Sequence, residues 1–239
     1  MWDNPRLLNA AAGALTALAL MVFAVAGAQL LLRSTLFPLR ELEVRGSLAH
    51  TTRAQIEQAA EGRVDGNFFG FDLGQLRTAL EALPWVRSAE VRRVWPDRLE
   101  VTLEEHVALA RWAAGGLVNM QGERFAGESS AELPQFTGPL GSEAEVTRRF
   151  RRFGEILTPL AVAPERVTLS PRYAWRLRLA DGLGIELGRD APRDPVEARL
   201  ARLVAAYPQT LGSMPRKHDH VDLRYPNGFA LRLADTKGG

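Results

Sequence analysis

The chain of 239 residues is long enough for one large domain or two small ones, and its 46% hydrophobic and 24% charged content is typical of a folded protein. A formal charge of +2 is close to neutral for this length and gives no reason to expect a nucleic-acid partner. The absence of cysteine excludes disulfides, thiolate nucleophiles and cysteine-ligated zinc.

The first predicted element is an apolar helix near the N-terminus. Residues 7–32 carry no charge, and about 20 apolar residues are enough to cross a bilayer as a helix. A cleaved secretory signal is the alternative, because Ala24-Val25-Ala26 resembles a small-residue cleavage site. The apolar run continues past that site, however, and is longer than the roughly 7–15 residues of a signal core. We therefore predict an uncleaved transmembrane helix at residues 10–32, after a tail of residues 1–9.

Charge does not determine on which side of the membrane the remaining chain lies. Arg6 precedes the helix together with Asp3, whereas Arg33, Arg40 and Arg45 follow it. Counted alone, the positive-inside rule would place the large C-terminal part in the cytoplasm. The rule is weak here, because the tail is short and large folded domains translocate largely regardless of charge. The residues themselves leave the orientation open.

The next part of the chain predicts the order strand, helix, helix, strand, strand, from the alternation of apolar and charged residues and from helical periodicity. These elements are assigned to residues 39–46, Ala54–Ala60, Leu73–Leu83 and a hairpin within residues 83–105. Three aromatic residues, Phe68, Phe69 and Phe71, lie between the two helices. We expect them to cover the helix–sheet core, and the alternative is that they form a contact surface for a partner.

The hairpin within residues 83–105 has a predicted register. Its apolar side chains share one face if Trp95 pairs with Leu99 across a three-residue turn, in which Arg98 is left-handed. Cross-strand charge pairs then lie on the solvated outer face. The charged residues concerned are Arg92, Glu100 and Glu104. Nothing on this hairpin converges on a reaction centre, so we expect it to be scaffold.

Four helix starts share one signature, a side-chain oxygen at the N-cap with Gln or Glu three residues later. The signatures are Thr52…Gln55, Asp72…Gln75, Ser142…Glu145 and Asp194…Glu197, with Pro195 as the first helical residue of the last. The last two helices interrupt a long series of strands beyond residue 105. The sequence therefore predicts a second α+β unit in which strands are the majority.

The last two strands of this unit are predicted to form a hairpin whose final strand has a free edge. The expected pairs are Tyr225 with Phe229, Leu223 with Leu231 and Val221 with Leu233, across the turn Pro226-Asn227-Gly228. A free edge offers unpaired N–H and C=O groups to the strand of a partner. The alternative is that another strand of the same domain covers this edge.

Candidate chemistry is sparse. His218-Asp219-His220 has a spacing that could bind a metal, but no second cluster supplies further ligands, so a solvated loop-to-strand junction is favoured. The basic segment 147–153 is predicted to be a helix with Phe150 and Phe153 facing the core and its arginines in solvent. No G-x-S-x-G, S-x-x-K or H-E-x-x-H motif is present. The sequence predicts no catalytic, cofactor-binding or metal residues.

Several segments together resemble the bacterial cell-division FtsQ/DivIB family. They are GNFFGFDL, LPWVRSAEVRRVWPDRLEVTLEEH, ALARW and VDLRYPNGFALRL, which follow the single apolar helix. The resemblance implies an α+β fold in which a POTRA domain at residues 38–106 precedes a mixed, β-rich domain with two helices at residues 107–236. It implies a single-pass inner-membrane protein whose bulk lies in the periplasm at the division septum.

The resemblance also implies a function without catalysis. The protein would be a scaffold that binds FtsB and FtsL and links early and late division proteins, and its POTRA domain would offer a site to other divisome proteins. A membrane-anchored cell-wall hydrolase is the alternative. On the free edge, the contacts predicted for FtsB are Tyr225, Phe229, Leu231 and Leu233, with Arg172 as a polar contact for an acidic partner residue.

Overall fold

A computed structural model describes residues 5–33, 41–63, 68, 71–210, 218–225 and 228–233. The chain divides into two compact units, Met1–Glu105 and His106–Gly239. The first unit contains the apolar helix and a small mixed sheet, and the second contains a large mixed sheet with two helices. The predicted α+β class is confirmed.

Helix α1, Pro5–Arg33, is the predicted apolar helix. Its segment Leu8–Leu30 has a mean hydropathy of 2.1, and none of that segment is buried within the protein. The one hydroxyl in this segment, that of Thr16, donates to the Ala12 carbonyl at 2.8 Å. The helix therefore has the length and composition of a single membrane span, and a membrane would cover its exposed apolar surface.

The rest of the first unit has the predicted order of strand, two helices and two strands. The elements are β1 Glu41–Arg45, α2 Arg53–Ala60, α3 Leu73–Glu81, β2 Val86–Val94 and β3 Arg98–Glu105. β3 is the central strand, parallel to β1 and antiparallel to β2. Helices α2 and α3 contribute Ile56, Leu76 and Leu80 to a core shared with Leu99 and Val101 of β3.

The predicted register of the β2–β3 hairpin is wrong by two residues. Val91 lies opposite Val101 and Val94 opposite Arg98, so Trp95 is in the turn instead of paired with Leu99. Trp95 is accordingly 73% exposed. Arg98 begins β3 and is not left-handed. The apolar face is nevertheless as predicted, because a shift of two residues restores the same face of a strand.

The outer face of this sheet is less solvated than the sequence predicted. Glu100, on the central strand, is only 5% exposed. Its carboxylate lies 2.5 Å from the guanidinium of Arg92 on β2 and 3.2 Å from that of Arg45 on β1. Glu104 is exposed as expected and pairs with Arg87 at 2.9 Å. A central strand has neighbours on both sides, and here both contribute long arginine stems that cover Glu100.

The aromatic residues between α2 and α3 are buried where the structure describes them. Phe68 is 3% exposed and Phe71 is 6% exposed, in agreement with the predicted role in the core. Phe69 lies outside the described residues. Arg93 of β2 donates to the backbone carbonyls of Phe68 at 2.8 Å and Phe71 at 2.6 Å, and its guanidinium stacks over the Phe71 ring. Arg93 therefore attaches this connection to the sheet.

The second unit is a nine-stranded sheet with two helices. The strands are β4 Ala108–Trp112, β5 Leu117–Asn119, β6 Arg124–Phe125, β7 Gln135–Thr137, β8 Pro164–Leu169, β9 Ala174–Leu179, β10 Gly184–Arg189, β11 His218–Asp222 and β12 Ala230–Leu233. Their order is β12-β11-β10-β9-β8-β7-β4-β5-β6. Helices α4, Glu143–Leu157, and α5, Val196–Ala206, pack on one face, where Phe153 and Leu200 join the core.

Strand β7 lies in a segment for which the sequence predicted no strand. Its three residues lie between Pro134 and Gly138, too short a run for alternation to be recognised. It pairs in parallel with both β4 and β8 and so joins the two halves of the sheet. Parallel pairing places its partners far apart in sequence, which no local pattern indicates.

The four predicted helix caps have different outcomes. Thr52 forms the full capping box with Gln55, and the Asp72 carboxylate accepts from two backbone N–H groups. The hydroxyl of Ser142 instead donates to a carbonyl before the helix. Pro195 is the N-cap of α5 rather than its first residue, and the Asp194 carboxylate pairs with arginines of the helix instead of capping it.

The basic segment lies in α4. Phe153 is fully buried and Phe150 packs against the same core, which confirms the predicted face. Arg149 differs from the prediction because it is not simply solvated. Its guanidinium pairs with Asp190 and with Glu197 of α5, and so joins the two helices of the unit.

Candidate partner-binding edge of the C-terminal sheet

The β11–β12 hairpin lies at one end of the nine-stranded sheet. β12 pairs with β11, and β11 pairs on its other side with β10 in a parallel ladder. Within the part of the chain that the structure describes, no strand pairs with the outer side of β12. A strand in this position has one row of backbone N–H and C=O groups without a ladder partner.

The predicted register of this hairpin is also wrong by two residues. Val221 lies opposite Leu231, whereas the sequence pattern paired it with Leu233. The apolar face is retained, because side chains on a strand repeat every two residues. The connection is longer than the predicted turn, because β11 ends at Asp222 and β12 begins at Ala230. Pro226 and Asn227 of the predicted turn lie outside the described residues.

The direction of the backbone groups on β12 follows from the ladder on the other side of β11. The Leu223 N–H donates to the Glu186 carbonyl of β10 at 2.9 Å. Successive residues of a strand point their backbone groups to opposite sides, so those of Asp222 point toward β12 and bond with Ala230 opposite. The next residue on β12, Leu231, therefore directs its N–H and C=O to the open edge.

The side chains predicted to contact a partner differ in exposure. Tyr225 is 55% exposed and lies in the connection, not in the ladder. Phe229 and Leu231 are half-buried and pack against the core of the second unit. The side chain of Leu233 lies outside the described residues. Tyr225, Phe229 and Leu231 thus belong to one hairpin and combine an accessible aromatic ring with two anchored apolar residues.

Arg172 is not part of this hairpin. It is exposed in the turn between β8 and β9, immediately before Tyr173. β9 is separated from β12 by β10 and β11, which amounts to roughly 14 Å at the usual strand spacing. A partner that contacts both Arg172 and β12 must therefore extend across the end of the sheet.

A groove of about 510 Å³ lies between α5 and the hairpin. Apolar side chains of the helix and of the hairpin line it, with two arginines of α5 beside them. The lining residues are Arg199, Arg202, Leu203, Ala205, Ala206, Leu223, Gly228 and Phe229. Sequence reasoning missed this groove, because the periodicity of α5 indicates its apolar face but not which strand lies next to it.

Arg199, one of the two arginines of α5 that line the groove, is anchored to the end of β10. Arg199 Nη1 donates to the carbonyls of Leu187 at 2.6 Å and Arg189 at 3.0 Å, and Nε donates to Asp194 at 2.7 Å. Gly188, between the two carbonyls, has a φ of +73° at a β-bulge, and a Cβ there would lie 3.3 Å from Arg199 Nη1. The buried guanidinium therefore positions α5 against the sheet.

An ion pair marks the point where β11 ends. Arg224 donates to the Asp222 carboxylate through its backbone N–H and through Nε and Nη2, at 3.0, 2.9 and 2.6 Å. These hydrogen bonds hold the pKa of Asp222 below its ordinary value although burial opposes them. The carboxylate in turn raises the pKa of Arg224. Both groups are charged at neutral pH and fix the first residues of the connection.

The described residues offer binding surfaces rather than reaction chemistry. Among them, no group of three His, Asp or Glu side chains is placed to hold a metal ion. His218, Asp219 and His220 are the first three residues of β11. An open strand edge beside an apolar groove is suited to binding an extended segment of another protein.

Two protein-family models match the chain. The POTRA domain, FtsQ-type, matches residues 37–106, and Cell division protein FtsQ/DivIB, C-terminal, matches residues 110–224. The chain is 47% identical to the cell division protein FtsQ of Burkholderia pseudomallei over 240 residues, which cover 99% of this chain and 96% of that protein. It is 41% identical to FtsQ of Nitrosospira multiformis over 97% of this chain and 99% of that protein. It is 36% identical to FtsQ of Bordetella pertussis over 98% of this chain and 93% of that protein.

Proposed function

Because the chain belongs to the FtsQ/DivIB family of bacterial cell-division proteins, we propose that it is a divisome scaffold that binds FtsB, and FtsL through FtsB, at β12. The observation that carries this proposal is the open edge of β12 beside the α5 groove. The protein is a non-enzymatic divisome component, which replaces the alternative of an anchored hydrolase. The scaffold would link early and late division proteins at the septum.

Strand addition explains why this edge suits a polypeptide partner. The outward N–H and C=O of Leu231 can form main-chain hydrogen bonds with an added strand whatever its sequence. Alternate side chains of that strand would point toward the helices, where the groove lined by Leu203 and Phe229 accepts apolar groups. Main-chain bonds would supply affinity, and the groove together with the exposed Tyr225 would supply selectivity.

The same proposal assigns a place to each part of the chain. Residues 1–9 form a cytoplasmic tail, residues 10–32 cross the inner membrane, and residues 38–106 and 107–236 form the POTRA and C-terminal domains in the periplasm. The POTRA domain would bind other divisome proteins. The exposed apolar helix α1 supports the single anchor.

The edge is tested by Leu231→Pro, because proline removes the outward N–H without removing a hydrogen bond to β11. We expect the full-length variant in detergent to lose capture of an FtsB–FtsL complex by about tenfold or more. The matched control is Leu231→Ala, which keeps the N–H and loses the side chain, and which should weaken capture less. Tyr225→Ala should also weaken capture, because it removes an exposed aromatic contact.

Circular dichroism and hydrogen exchange must show that each variant remains folded. If folded Leu231→Pro and Tyr225→Ala both capture FtsB as the unmodified protein does, β12 is not the binding edge. If proline and alanine weaken capture equally, the side chain of Leu231 contributes and its backbone does not.

Orientation has a separate test. We expect a C-terminal fusion to a reporter that is active only in the periplasm to be active, and a fusion to a reporter that is active only in the cytoplasm to be inactive. The opposite pattern would contradict the proposed topology and with it the divisome assignment of the C-terminal edge. A mature N-terminus near Gly27 would show that the apolar helix is a cleaved signal.

A further inference from the structure

The face of the C-terminal sheet opposite α4 and α5 carries a row of arginines. Residues that lie opposite one another on successive strands form one line across the sheet: Arg111, Gln135, Arg166, Arg178, Gly184, His220 and Arg232. Their chain neighbours Val167, Leu177 and Ile185 are buried in the core with the helices. The four arginines of the row are exposed. Side-chain alternation therefore places the row on the outer face.

A groove of about 550 Å³ opens in the middle of this row. Gly184 forms part of its floor, and the residues directly opposite Gly184 on the neighbouring strands are Arg178 and His220. Because glycine has no side chain, the row has a recess at this point, narrowed by His220 Nδ1 and the Asp219 carbonyl, each 3.3 Å from where a Cβ would lie. A carboxylate in the recess would lie between a guanidinium and an imidazole.

The charges lining this groove are not balanced within the described residues. Its two carboxylates are already paired, Glu186 with Arg176 at 2.7 Å and Asp219 with Arg232 at 3.2 Å. Arg166 and Arg178 lie directly opposite each other, and neither forms an ion pair with a described residue. Like charges directly opposite on a sheet are destabilising. An external anion would relieve this repulsion and accept hydrogen bonds from both guanidiniums.

The shape of the row indicates the class of anion. It crosses seven strands, roughly 30 Å, which exceeds what a single small ion would occupy. At one end of the row, Arg111 already donates to the carbonyls of Ser129 and Ala131, so the part available to a ligand runs from Arg166 to Arg232. A lipid surface would engage exposed apolar side chains, and none of those described in this unit lies in the row. They are Val107, Met120, Leu140, Tyr173 and Tyr225. An extended acidic polypeptide fits both the length and the polarity.

We propose that this face binds an acidic segment of a partner polypeptide that crosses the strands, with carboxylates on Arg166 and Arg178 and in the recess at Gly184. This surface is separate from the outer edge of β12, and the proposal does not depend on strand addition there. A protein that binds one partner at the edge of the sheet would in this way hold a second segment on its open face.

The test uses the full-length protein in detergent and a fluorescent oligoglutamate peptide, with binding followed by anisotropy at low salt. Arg178→Glu should weaken binding by about tenfold or more, because it reverses a central charge of the row. The same variant should be at least as stable as the unmodified protein, because the new carboxylate faces Arg166. Arg178→Gln, which creates no ion pair, should weaken binding less.

The matched control is Arg193→Glu, an exposed arginine before α5 that is not in the row. It changes the net charge equally and should leave oligoglutamate binding within about twofold. Equal weakening by the two charge reversals, or no binding of the peptide to the unmodified protein, would overturn the proposal. The assignment to a polypeptide would also be overturned if vesicles rich in anionic phospholipid, or inorganic phosphate, bound more strongly than oligoglutamate and lost that binding in Arg178→Glu. Leu231→Pro should bind oligoglutamate normally, which separates this surface from the β12 edge.

Discussion

Replacing Arg199 with methionine should lower the free energy of unfolding of the C-terminal unit by about 3–5 kcal/mol. The Arg199 side chain is buried, and its guanidinium satisfies two backbone carbonyls of β10 and the Asp194 carboxylate. Methionine fills a similar volume but removes the guanidinium donor from both carbonyls and from the Asp194 carboxylate. Hydrogen exchange of peptides from β10 and α5 in the full-length protein measures the loss, because protection there reports the opening of this unit.

Arg202→Met is the matched control. Arg202 also donates to Asp194, at 2.8 Å, but its side chain is 50% exposed. Exposed ion pairs contribute little to stability, so this variant should lose less than about 1 kcal/mol. If the two variants lost similar free energies of unfolding, the bonds to the Asp194 carboxylate would account for the effect and those to the two β10 carbonyls would not. The Arg199 variant should also weaken capture at β12, because Arg199 lines the neighbouring groove.

Replacing Glu105 with glutamine should destabilise the first unit by about 2–3 kcal/mol. The Glu105 carboxylate accepts from the backbone N–H groups of Ala49 at 2.8 Å and Thr51 at 2.6 Å, and also from that of His50. It therefore attaches the segment before α2 to the end of β3. The amide of glutamine retains one acceptor oxygen, but its NH₂ group would face the backbone N–H groups of this segment and could not accept from them. Hydrogen exchange of peptides containing residues 47–60 measures the effect.

The same carboxylate makes the first unit sensitive to acid. Burial raises the pKa of Glu105, but hydrogen bonds from the segment Ala49–Thr51 lower it more, so its pKa is below the ordinary value of 4.5. A lowered pKa in the folded state means that the stabilisation is complete above about pH 4.5 and is lost as the pH falls through the folded value. The Glu105→Gln variant should lack this part of the acid dependence.

Glu104→Gln provides the control for Glu105. The two residues are adjacent, but the Glu104 side chain is 55% exposed and pairs with Arg87 on the surface. Its replacement should change stability by less than about 0.5 kcal/mol. An equal effect of the two glutamines would show that charge on β3, and not the bonds to the segment before α2, is responsible.

The two hairpins show how far side-chain alternation predicts structure. In both, the apolar face is correct and the register is two residues off, because a pattern with a period of two cannot distinguish registers that differ by two. The turn decides between them, and in each hairpin an aromatic residue expected in the ladder lies in the connection. These residues are Trp95 and Tyr225, and both are largely exposed.

What the sequence could not show depends on contacts between distant segments. The prediction that the last strand lies at an edge agrees with the order of the described strands. The α5 groove, the bulge at Gly188 and the buried role of Arg199 require the neighbours of α5 to be known. Strand β7 was missed for the same reason, because its pairing connects residues far apart in the chain.

The two ends of the C-terminal sheet differ, and this difference limits how copies of the protein could assemble. At the end opposite β12, β6 has only two residues, and Arg124 uses its guanidinium to bond the carbonyls of Ala114 and Gly115. Of the two outer strands described, only β12 is long enough to extend the sheet. Association of two copies through it would be isologous and would close as a dimer, without the head-to-tail repeat that makes filaments. Such a dimer would also occupy the edge, so self-association and strand addition by another protein would exclude each other.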